Sequence, residues 1–120
     1  MPALMTDAMI DGGLDKFGTC TRITALSAEP ASITDITTTY KLATTTLAGG
    51  DFTKANGDTS GRKSTVAQKT GVSITATGTA THVAVDDGTD YVVTTCDAQG
   101  LTSGGTVTFN SWKREISDPT

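Results

Sequence analysis

Apolar and polar positions alternate with a period of two along most of this chain. Across residues 19–27, Thr21, Ile23 and Ala25 point one way, while Cys20, Arg22, Thr24 and Leu26 point the other. That pattern predicts a half-buried strand. Residues 38–47 repeat it, with Tyr40, Leu42, Thr44 and Thr46 on one face. The C-terminal half is denser in such runs, at 66–68, 72–77, 80–85, 91–96 and 106–112, the last with Val107 and Phe109 on one side. Between two of them, Asp86, Asp87, Gly88 and Thr89 form an acid-then-glycine turn of the kind that joins hairpin strands.

Three segments depart from the alternation. Residues 3–11 mix Leu4, Ala8 and Met9 with Thr6 and Asp7, predicting a short helix that Gly12 and Gly13 end. Residues 48–64, AGGDFTKANGDTSGRKS, show no periodicity and predict a long loop, the first place to expect a partner contact. Residues 113–120 predict an extended C-terminal tail, with Ile116 an apolar residue among charges. The expected fold is all-β: one domain over 1–120, an antiparallel β-sandwich or partly closed barrel with a short N-terminal helix.

Composition strengthens the β reading. Roughly a fifth of the residues are threonine, whose branched β-carbon suits a pleated surface and disfavours long helices. A formal net charge of -4 argues against nucleic acid as a partner, because phosphate neutralisation needs clustered Lys and Arg. The nearest basic cluster, Arg62 and Lys63 with Lys69, is sparse. No apolar run is long enough for a membrane helix. Acids stand where a secretory signal would be apolar, so no signal peptide is expected and no membrane partner either.

Candidate chemistry is thin. Asp86, Asp87 and Asp90 carry oxygen ligands of the sort calcium takes, but their spacing is not that of an EF-hand, and a solvated hairpin turn uses the same residues. His82, the single histidine, lacks the further His or Cys that zinc requires and reads as a surface or interface residue. Cys20 and Cys96 leave three readings open: two buried thiols, one internal disulfide, or bridges between subunits. Trp112 reads as an anchor at the edge of the core rather than a sugar platform. No nucleophile elbow, phosphate loop or dinucleotide fingerprint occurs, so neither catalytic residues nor a cofactor are assigned. Phe52, Arg62, Lys63, Trp112 and Ile116 are the candidate interface residues.

The segments DAMIDGG, at residues 7–13, and GTATHVAVDDGTDYVVTT, at residues 78–95, resemble small accessory virion proteins of tailed bacteriophages. The likeness covers about residues 6–26 and 72–110 and rests on strand and turn chemistry. It implies a β-rich, non-enzymatic subunit present in many copies on a head, neck, collar or tail. Its partners would be copies of itself and other virion proteins, and it would assemble in the host cytoplasm without a leader. A glycan- or calcium-dependent binding module, working through the Asp86–Asp90 turn and Trp112, is the alternative expectation.

Overall fold

The structure is a computed structural model and describes residues 7–116. One helix precedes nine strands: α1 (Asp7–Phe17), β1 (Arg22–Leu26), β2 (Lys41–Thr46), β3 (Phe52–Asn56), β4 (Arg62–Val66), β5 (Lys69–Ser73), β6 (Gly78–Asp86), β7 (Tyr91–Leu101), β8 (Thr106–Phe109) and β9 (Trp112–Ile116). The strands pair antiparallel in sheets ordered β2-β1-β6-β7, β3-β4-β9 and β5-β8. The chain is therefore mostly β with a short N-terminal helix, and no closed barrel forms among the described residues.

The chain divides into two compact units, each assembled from separated stretches. One takes the described parts of 1–19, 48–68 and 110–120; the other takes 20–47 and 69–109. In the first, α1 packs on the β3-β4-β9 sheet. Phe17 lies edge-on to Phe52 at 5.2 Å and to Trp112 at 5.7 Å between ring centres. In the second, β1 is central and is buried at four successive residues from Ile23 to Leu26. Thr24 and Leu26 share the face on which the alternation also puts Cys20 and the charged Arg22. That face is nevertheless covered, because Ile33, Ile36 and Tyr40 of the connection from β1 to β2 pack with Leu26 and Ala84.

Four expectations are corrected. The helix does not stop at Gly12 and Gly13 but runs on to Phe17 and closes at Gly18, whose N–H donates to Leu14 O at 2.9 Å. Each interior glycine costs about 1 kcal/mol of helix propensity. Seating Leu14 and Phe17, both buried, on the sheet outweighs that cost. The beginning of the predicted helix, residues 3–6, lies outside the described residues.

The expected loop over 48–64 is a hairpin, β3 and β4, turned through 57–61. Gly57 N–H donates to Gly61 O at 2.9 Å; a side chain on Gly57 would collide with Ser60 O, and Gly61 takes φ 71°. Residues 106–112 are not one strand, since β8 and β9 join different sheets. The start of the expected tail is also ordered: residues 113–116 belong to β9, paired with β4, while 117–120 lie outside the described residues.

Candidate functional site

The hairpin of β6 and β7 places every titratable residue singled out near the acidic turn. Its register runs from Gly78 opposite Leu101, through a shift between Ala80 and His82, to His82 opposite Thr95 and Asp86 opposite Tyr91. Asp86 is fully buried and accepts from Arg22 through both oxygens, at 3.0 Å from Nε and 2.5 Å from Nη2. Gly88 N–H donates to the same carboxylate at 3.0 Å. Hydrogen bonding to Asp86 raises the Arg22 pKa above its ordinary value, against a smaller opposing effect of burial.

Asp87 faces the other way and caps the turn. Its Oδ1 accepts the Thr89 and Asp90 amides at 2.9 and 2.8 Å, and Gly88 supplies φ 95°. The calcium reading of Asp86, Asp87 and Asp90 is thereby corrected, because Asp86 is turned inward onto an arginine. Among the described residues no group of three or more His, Cys, Asp or Glu is arranged to hold a metal ion. His82 is half-buried between Leu26 and Thr95 in the sheet, with Nδ1 2.9 Å from Thr81 Oγ1.

Cys20 is a buried thiol and Cys96 an exposed one. The internal disulfide is corrected by the register. Thr21 N–H donates to Asp86 O, so Cys20 sits at the Asp86 end of β6 on its β1 side, whereas Cys96 follows Thr95, the partner of His82, on the opposite side. Four residues of strand at about 3.3 Å each already exceed the ~7 Å a disulfide spans between Cα atoms. The Cys96 thiol lies above its ordinary pKa, first because protein atoms remove water from the sulfur and then because Asp97 disfavours a second negative charge.

The interface candidates all fall in the helix-containing unit. Arg62 ion-pairs with Asp11, at 3.0 Å from Nε to Oδ1, and Lys63 with Asp58 at 2.7 Å. Phe52 and Trp112 flank Phe17, and Ile116 lies under Gly13. Trp112 is half-buried with its indole N–H enclosed, which suits an anchor rather than an open sugar platform.

Two features escape a reading of hydrophobic alternation. Near the end of β7 a cavity of about 440 Å³ is lined by Ile74, Gln99, Leu101, Thr106 and Val107 among others, with no ionisable side chain. In the helix-containing unit, a smaller one of about 180 Å³ has Lys54 and Ser64 on its wall. The cross-strand pairing of those two residues follows directly once Asn56–Arg62 is taken as a hairpin closure. Comparison with family models, with curated proteins and with solved structures returns no match.

Proposed function

We propose that this chain is a non-enzymatic structural subunit of a tailed-phage virion, a collar, neck or capsid-decorating protein that docks in many copies on symmetric neighbours. The observation that carries the reading is the edge strand β7. It is 11 residues long and stands at one side of its sheet, and every residue from Thr95 to Gly100 is exposed. Monomeric proteins blunt such an edge with lysine, proline or a very short strand. This one carries a single charge, Asp97, and otherwise small or neutral side chains. An edge of that kind suits addition of a neighbour's strand through main-chain hydrogen bonds. The resemblance of residues 78–95 to accessory virion proteins points the same way.

Mass spectrometry and electron microscopy of purified particles test the proposal. The chain is expected in fixed multiples of the portal or capsid protein, with density along β7. Its absence from particles, with the protein found only as a monomer in lysate, refutes the reading.

A further inference from the structure

Between β7 and β8 the chain turns within residues 102–105, with Gly105 N–H donating to Thr102 O at 3.0 Å and Gly104 at φ 91°. So tight a turn ordinarily closes a hairpin. These two strands do not pair with each other, because β7 takes β6 as its neighbour and β8 takes β5. Ile74 holds the turn from below, its N–H donating to Gly105 O at 3.0 Å and its carbonyl accepting from Gly104 N–H at 3.1 Å. The strands therefore leave the turn with unpaired edges, and the cavity of about 440 Å³ lies between them.

Residues 99–101 of β7 and 106–108 of β8 border this cleft in unbroken runs, whereas the face of a sheet contributes every second residue. Main-chain edges therefore line it. Such an edge is a row of unpaired N–H and C=O groups, and the backbone of another extended segment matches its spacing. The rim is open, with Gln99, Gly100 and Thr106 exposed, while buried Ile74 and Leu101 make an apolar floor with Val107. The volume lies within the about 300–1,000 Å³ of ligand sites, and no ionisable side chain lines it. An aliphatic side chain enters without stranding a charge. The register sets the other boundary: Gln99 pairs with Ala80 and Thr95 with His82, which leaves residues 96–98 of β7 against Thr81 alone. This bulge ends regular pairing at Gln99. It also carries Asp97, the one charge of β7, which has no ion-pair partner among the described residues.

We propose that this cleft takes one extended peptide segment of another chain, laid along residues 99–101 of β7, with an aliphatic side chain in the cavity and a lysine or arginine against Asp97. The inference rests on β7 being the docking edge, as proposed above, and narrows that edge to its last three residues. So short an edge forms few main-chain bonds. A single segment therefore binds weakly, and repetition over many linked copies supplies the strength.

The experiment is an amide-shift NMR titration of the full chain with a capped peptide, Thr-Val-Thr-Val-Thr-Lys, carried to millimolar concentration. Saturable shifts are expected at residues 99–101 and 106–108. N-methylating either the valines or the threonines removes the donors of one edge of the peptide, and at least one of these two peptides is expected to bind about tenfold more weakly. Serine in place of both valines is expected to weaken binding about tenfold, by removing the group that fills the cavity. Glutamate in place of the lysine is expected to weaken it about threefold, and Asp97→Lys to reverse the order of those two peptides. No shifts at the two segments, undiminished binding by both N-methylated peptides or by the serine peptide, or equal binding of the lysine and glutamate peptides overturns the proposal. Particles that contain the chain, with no peptide bound in solution, strike this inference alone; peptide bound by a chain absent from particles strikes the virion reading alone.

Discussion

Arg22 and Asp86 contribute unequally to their ion pair because they are unequally buried. The Asp86 side chain is 0% exposed, whereas that of Arg22 is 34% exposed. Removing the arginine strands a carboxylate with no route to water, a loss of about 3–5 kcal/mol. Removing the acid leaves a guanidinium that water already reaches. Urea unfolding is therefore expected to show Arg22→Met costing about 3–5 kcal/mol and Asp86→Asn only about 1–2 kcal/mol, closer to the loss of ordinary hydrogen bonds. Equal costs, or the reverse order, contradict this asymmetry. A second buried polar contact has a definite direction. Thr44 Oγ1 gives its proton to Ile23 O at 3.1 Å, so Thr24 is the donor across the 2.9 Å contact between the two hydroxyls. Threonine thus serves this chain twice, as a strand former and as a way to satisfy polar atoms inside a sheet.

The helix shows how an element takes its length from what it packs on. Gly12 and Gly13 are ordinary stop signals, and in isolation they would end a helix this short. Here Leu14 and Phe17, three residues apart on one face, reach the sheet only if the helix continues through them. The two glycines are not equivalent. A Cβ on Gly12 meets nothing within 4 Å, while one on Gly13 comes within 3.2 Å of Ile116 Cδ1. Gly12→Ala is expected to stabilise the chain by about 0.5–1 kcal/mol in thermal or urea unfolding. Gly13→Ala is expected to gain less, because Ile116 must give way; a larger gain at Gly13 than at Gly12 contradicts the packing described. The β3–β4 hairpin was illegible for a related reason. Its inward face carries Phe52, Lys54 and Asn56 opposite Val66, Ser64 and Arg62, and the helix carboxylates Asp11 and Asp15 neutralise the two cations. Lys54 and Asn56 stay exposed, so β3 carries no apolar stripe for hydrophobic alternation to reveal.

For the whole molecule, the distribution of thiols limits how copies can be joined covalently. With Cys20 buried and Cys96 exposed, each folded chain offers one accessible thiol. Oxidation of the native protein is therefore expected to give a disulfide-linked dimer on a non-reducing gel and no ladder of higher oligomers, and Cys96→Ser is expected to abolish the dimer. The pH dependence has a fixed sign. The Cys96 pKa is raised above the ordinary 9.0, so less thiolate is present at a given alkaline pH and maleimide labelling reaches its midpoint above pH 9.0. The linked stability runs the same way: the folded state holds this proton more tightly, so stability falls as pH rises from 9.0 through the raised value. A ladder on the gel, or a labelling midpoint below 9.0, contradicts this account.

Local chemistry, read from the sequence alone, was enough to establish the β class, the turn at Asp86 to Asp90, and strands within 19–27 and over 80–85. Strand periodicity and turn residues act over a few positions, and no distant partner is needed to see them. Tertiary structure decided where the helix ends, that 48–64 is a hairpin, that Asp86 faces an arginine, and that Cys20 and Cys96 lie on opposite sides of β6. Each of these depends on groups far apart in the chain, 64 residues in the case of Arg22 and Asp86. A buried charge is stable only beside its counter-charge, and pairing across that distance is settled by folding.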